Sequence, residues 1–151
     1  MYDRILVPLD GSKRAEAILP HVQKIAQDGN SQVILLNVLE HKVPLGESFG
    51  PTRIQRQEII TDEEEQQKAA EVYLEDLAAE LRRMDIRTQC KVQFGPVVRV
   101  IGEIAEEEDA SLIAIASHGR SGLARVFYGS VAAGVLQSID RPLLVIRSRN
   151  M

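Results

Sequence analysis

Residues 111–130 read SLIAIASHGRSGLARVFYGS, from Ser111 to Ser130. The apolar run Leu112-Ile113-Ala114-Ile115-Ala116 is too short for a helix and is bounded by polar residues, which reads as a buried parallel strand. Ser117-His118-Gly119 follows as a small, basic loop, and Gly129-Ser130 then opens a helical pattern with Val131, Val135, Leu136 and Ile139 turned inward. A strand that ends in a glycine-containing loop and delivers a helix N-terminus is an anion site. The free backbone N–H groups and the helix dipole both favour phosphate.

Outward from this segment the chain alternates. Arg4 to Leu9 is a first strand, apolar on consecutive positions and therefore covered on both faces, with Pro8 near its end because proline cannot donate to a ladder. Asp10-Gly11-Ser12 turns the chain, and Ser12 is a suitable N-cap. Ala15, Ile18, Leu19, Val22, Ile25 and Ala26 recur at helical spacing; Pro20 is expected to bend that helix, and Asp28-Gly29-Asn30 to stop it. Gln32 to Leu39 is a second buried strand. His41 to Gln57 carries Pro44, Gly46, Gly50 and Pro51 without periodicity and reads as a long loop, a type of segment that often acts as a lid or interaction element. Thr61-Asp62-Glu63-Glu64 matches a capping box, and Ala70, Tyr73, Leu74, Leu77, Leu81 and Met84 then mark the apolar stripe of a long helix. The acidic run 62–65 suits a first helical turn better than a metal site.

Ile86 to Phe94 alternates, with Ile86, Thr88, Cys90, Val92 and Phe94 on one face, as a half-exposed strand at a sheet edge does; Cys90 then belongs to the core. Gly95-Pro96 starts a helix whose buried stripe is Val97, Ile101, Ile104 and Ala105. Asp140-Arg141-Pro142 ends the helix after Ser130, and Leu143 to Ile146 is a last short strand. The order β-α-β-α-β-α-β-α-β predicts an α/β fold. It is a single doubly wound five-stranded parallel sheet, ordered 3-2-1-4-5, with helices on both faces. In that order the first and fourth strands meet at the topological switch point, where ligands of such sheets bind. The loops Pro8–Ser12 and Ser117–Gly129 follow those two strands.

Composition narrows the function. The 151 residues are expected to form one domain, with 44% hydrophobic and 26% charged residues and no tryptophan. A net charge of −4 argues against nucleic acid as the main partner. No apolar run reaches the roughly 18 residues of a membrane span, and MYDRILVPLD is not expected to act as a secretory leader. A lone cysteine fits a reducing cytoplasm. His21, His41 and His118 show no zinc spacing, no Gly-Lys-Ser/Thr follows the glycine loop, and Gly119-Arg120-Ser121-Gly122 lacks the spacing of a nucleophile elbow.

These segments together resemble the universal stress protein family, and the likeness covers nearly the whole chain. ILVPLDGS resembles the family's first strand and turn, NVLE at 37–40 the end of its second strand, and RPLLVIR its terminal strand. Nucleotide-binding members carry Gly, two residues, Gly, nine residues, Gly, then Ser or Thr. This chain has Ser117-His118-Gly119, nine residues from Arg120 to Tyr128, then Gly129-Ser130, with Ala116 at the motif's first position. The resemblance implies a site for ATP or a related adenine nucleotide. In it Val38 would hold adenine through its backbone, Pro8 and Leu9 would line the base pocket, and Asp10 would face the ribose. Ala116 and Gly119 would border ribose and phosphates. The loop Ser117, His118, Gly119, Arg120, Ser121 and Gly122 would wrap the phosphates, and Gly129, Ser130, Val131 and Ala132 would present amides and a hydroxyl to them. Any Mg²⁺ or Mn²⁺ would be held through phosphates and water.

An extended backbone at Ala116 would accommodate its methyl group; a positive φ there would cost about 1 kcal/mol. The resemblance also implies a homodimer through Leu143–Ile146, acting in stress response or signalling by nucleotide-dependent conformation with slow or absent hydrolysis. Two other readings stay open: a dimeric interaction module that binds no nucleotide, and a small hydrolase using His118, Asp10 and a serine in the same crevice.

Overall fold

The computed structural model describes residues 1–41, 52–118 and 129–148. Five strands, β1 (Arg4–Leu9), β2 (Gln32–Leu39), β3 (Thr88–Phe94), β4 (Leu112–His118) and β5 (Leu143–Ser148), form one sheet in the order β3-β2-β1-β4-β5. Every pairing is parallel, and β1 lies between β2 and β4, with Leu6 opposite both Ile34 and Ile113. The 3-2-1-4-5 expectation therefore holds.

Because strand side chains alternate, each central strand feeds two cores. Ile5, Val7, Leu9, Val33, Leu35, Leu112, Ala114 and Ala116 face one side. There they meet Ala15 of α1 (Lys13–Glu16), Val22 and Ala26 of α2 (Leu19–Gly29), and Leu74, Ala78 and Leu81 of α3 (Arg53–Arg83). Leu6, Ile34, Leu36, Ile113 and Ile115 face the other, against α4 (Val97–Glu107) and α5 (Gly129–Ser138). Double coverage explains why the central strands read as continuous apolar runs, while β3 at the edge alternates.

Three local expectations are corrected. The first helix is not one bent helix: α1 ends at Glu16 and α2 begins at Leu19, with Pro20 in the first turn of α2, where a missing N–H costs nothing. The long helix starts at Arg53, not after Thr61. Thr52 and Gln55 form the capping box (Thr52 N to Gln55 Oε1 2.8 Å, Gln55 N to Thr52 Oγ1 3.1 Å), while the Thr61 hydroxyl donates to the Gln57 carbonyl inside the helix. Residues 53–57 of the expected loop are thus helical, and 42–51 lie outside the described residues. Finally, Met84 and Leu136, expected inward, are 41% and 60% exposed; Met84 caps α3 and Leu136 lies on the outer face of α5.

At the foot of the sheet Glu108 clamps α4 to two strands. Its carboxylate meets Lys91 Nζ at 2.9 Å and Arg4 Nη2 at 2.6 Å, and Gln89 donates to it at 3.2 Å. Lys91 chiefly, with Arg4, holds the Glu108 carboxyl below its ordinary range against the opposing effect of burial. A depressed folded-state pKa contributes stability that is present above the unfolded pKa and lost as pH falls through the folded value. We therefore expect Glu108→Gln to be less stable than the parent at neutral pH. That difference should close as acid titrates the carboxylate, read by urea unfolding across the carboxylate range; a gap that stays constant would contradict it.

Candidate nucleotide-binding cleft

The C-terminal ends of β1 and β4 open onto a cavity of about 250 Å³. β1 supplies Pro8 and Leu9, and Asp10 stands just beyond it. The Asp10 carboxylate accepts from Ser12 N at 2.9 Å and from Ser12 Oγ at 2.6 Å, and Ser12 Oγ caps α1 by accepting from Ala15 N at 3.1 Å. Gly11 sits at φ +88°, a conformation that favours glycine in so tight a turn. On the far side α5 brings Gly129, at φ +64°, with Val131 and Ala132, and β2 contributes Val38.

The expected residues Pro8, Leu9, Asp10, Val38, Ala116, Gly129, Val131 and Ala132 thus come together around one space. Ser117 is buried within β4 and Ser130 is exposed on the first turn of α5; neither lines the cavity. β4 runs two residues past Ala116, so Ser117 and His118 end a strand where a loop was expected. Gly119, Arg120, Ser121 and Gly122 lie outside the described residues. Ala116 pairs with Ile146 across the β4–β5 ladder and is absent from the positive-φ positions, so its methyl group costs one contact in the wall and no backbone strain.

Ala15, Val97 and Ile115 also line the cavity; the sequence marks them as core residues and not as site residues. Val97 had a signal: it opens α4 after Gly95-Pro96, at the same end of the sheet. Its placement depends on how closely α4 and α5 cross. A Cβ on Gly134 would meet Val98 Cγ2 at 2.7 Å, so the bare glycine lets the two helices that flank the cavity approach.

Among the lining residues Asp10 is the one charged group, and the rest are aliphatic, proline or glycine. Such a space suits the face of a planar base or another apolar body, with a carboxylate at one rim for hydroxyls and a helix N-terminus at the other for an anion. No group of three or more His, Cys, Asp or Glu able to hold a metal occurs among the described residues, and no described helix is long and apolar enough to cross a membrane. Burial and the neighbouring Glu75 push the Cys90 thiol up to about 12, and its side chain packs on the first core. A thiol so protonated is a packing group, as expected.

The architecture defines an α/β domain of the doubly wound type, with a cavity at the C-terminal ends of β1 and β4. The chain matches the universal stress protein family over residues 1–147, and it belongs to that family. It is 28% identical to a universal stress protein of Methanocaldococcus jannaschii, MJ0577, over 99% of this chain and 98% of the relative. The solved structure of MJ0577 superposes with a TM-score of 0.82, covering 100% of this chain and 99% of the other. Two more distant structures share the fold. One is a universal stress protein in complex with cAMP (19% identity, TM-score 0.69, 98% of each chain). The other is a universal stress family protein of Arabidopsis thaliana with AMP bound (17% identity, TM-score 0.66, 97% of this chain and 92% of that one).

Proposed function

We propose that this universal stress protein binds ATP or a related adenine nucleotide in the cleft between β1 and β4 and signals by the resulting change in conformation. The observation that carries the reading is the cavity itself. A space of about 250 Å³ has aliphatic walls, Asp10 at one rim and the N-terminus of α5 at the other. The adenine nucleotides in two structures of the same fold support it. The base would lie against Pro8, Leu9 and Val38, the ribose hydroxyls against Asp10, and the phosphates against Gly129, Ser130, Val131 and Ala132 with the Ser117–Gly122 loop. A divalent cation would be held through the phosphates, since the described residues supply no ligand cluster of their own. Phosphoryl transfer needs a group that orients water or accepts a proton; among the described lining residues only the Asp10 carboxylate could, and it is assigned to the ribose, so hydrolysis would be slow or absent. The same reading makes the protein a cytoplasmic homodimer joined along β5.

A ligand that binds the native state alone raises its melting temperature. At about 100 times Kd the gain is about 2.7 kcal/mol, which for a domain of this size corresponds to roughly 5–10 °C. ATP with Mg²⁺, or AMP, is expected to give such a shift in thermal unfolding. An unmoved transition at millimolar concentrations of both would favour a non-binding interaction module instead.

A further inference from the structure

The wall of the cleft formed by α1 is a weak element. It has four residues, ends before the break at Ala17-Ile18, and buries one side chain, Ala15, which is also a lining residue. Its backbone bonds are long: Glu16 N to Ser12 O 3.4 Å, Ala17 N to Arg14 O 3.2 Å, Ile18 N to Ala15 O 3.4 Å. A single helical turn does not hold itself in water, because nucleation fixes several residues for one hydrogen bond. Something outside α1 must keep it against the cavity.

Ala15 seats the turn on β1 and β4 in the first core, and α3 supplies a further tie from outside the sheet. The Tyr73 hydroxyl donates to Glu16 Oε2 at 2.8 Å across 57 positions of sequence. Tyr73 stands on a fixed post: its ring packs on the first core, and its neighbour Leu74 is fully buried there with Ala70 and Ala78 one turn to either side. Glu16 is held in turn, with its side chain 18% exposed and Lys13 Nζ 3.8 Å from its other oxygen. Burial, then the Glu16 hydrogen bond and charge, then the charge of Asp10, raise the Tyr73 phenol far above its ordinary range, so its proton stays available to donate. Glu16 and Asp10 thus both lie within electrostatic reach of the Tyr73 hydroxyl.

We propose that the Tyr73–Glu16 hydrogen bond is the latch that holds the α1 wall in its ligand-ready position, which makes Tyr73 and Glu16 positioning residues for the cleft. The role in nucleotide binding rests on the function proposed above; the ordering of α1 does not. Neither residue lines the cavity. The latch joins the cleft to a 31-residue helix whose first half reaches beyond the core, so a ligand that tightens α1 also favours the Tyr73 contact from α3.

The test pairs amide hydrogen exchange over residues 12–17 in the ligand-free full chain with the affinity for AMP as probe. Tyr73→Phe removes one oxygen and keeps the ring in the core. We expect exchange over 12–17 to quicken, and AMP affinity to fall, each by about fivefold or more, the worth of one hydrogen bond. Glu16→Ala should behave alike, whereas Glu16→Gln keeps an acceptor for the hydroxyl and should stay within about twofold of the parent. Unchanged exchange in Tyr73→Phe overturns the latch. Quickened exchange with unchanged AMP affinity overturns the positioning role, and a Glu16→Gln variant as loose as Glu16→Ala shows charge, not the hydrogen bond, to be the cause. If the parent binds neither AMP nor ATP, the proposed function falls, and the exchange comparison still decides whether the latch orders α1.

Discussion

Gly129→Val is expected to lower the affinity for ATP and AMP by about 100-fold or more, equivalent to about 3 kcal/mol, while leaving the fold intact. Two effects add. Gly129 has φ +64°, where an L residue is strained by about 1–2 kcal/mol and a β-branched one most of all, so the first turn of α5 must rotate to relieve it. That turn carries the amides offered to the phosphates, and a displacement of a fraction of an ångström is enough to misaim them. The second effect is space: Gly129 lines the cavity, and an isopropyl group takes volume from a site of about 250 Å³. Gly129 itself belongs to neither core cluster and is half-buried at the helix end, and the rotation touches the second core only through Val131 and Ala132 of that first turn. Equilibrium dialysis against labelled ATP, with circular dichroism as the check on folding, reads the outcome. Equal affinity in a folded variant would place the site elsewhere.

Leu144→Arg is expected to convert a dimer into a folded monomer. Among the described residues β5 is an edge strand paired to β4 alone, yet Leu143, Leu144, Val145 and Ile146 are all apolar and all half-buried. Leu144 and Ile146 lean on the core shared with α1, α2 and α3, while Leu143 and Val145 lean on the core shared with α4 and α5. Four consecutive aliphatic residues on an open edge invite strand pairing with another chain, and a second copy meeting β5 on a two-fold axis covers both edges at once. An arginine at 144 can lay its stem along the core and send its guanidinium to the surface, which preserves the strand but sets two like charges across the axis. Multi-angle light scattering should then fall to the 16.8 kDa of one chain, with ATP affinity retained because Leu144 does not line the cleft. An unchanged mass would rule out the β5 interface.

The sheet was legible because each central strand is a short apolar run between turn residues, and strand order follows from regular alternation with helices. The cleft was legible for the same reason, since the switch point of that order put Asp10 and Gly129 on facing sides before any geometry was known. What escaped has identifiable causes. The start of α3 was hidden because residues 53–69 bury no side chain, so they show no 3.6-residue stripe, and two Thr-x-x-Gln/Glu patterns competed for the cap. Periodicity also cannot tell a partly covered helix face from a fully covered one, which is how Leu136 was assigned inward. Ala15 and Ile115 are core residues by pattern, and their second role as cavity wall arises from where α1 and β4 end, a property of packing and not of any motif.

The measurement that bears most directly on the account is native mass spectrometry of the freshly purified protein, first without added ligand and then with ATP and Mg²⁺. The account predicts a dimer that takes up one adenine nucleotide per chain. A dimer that stays empty in millimolar ATP would contradict the nucleotide site and leave the cleft to serve contacts with another protein.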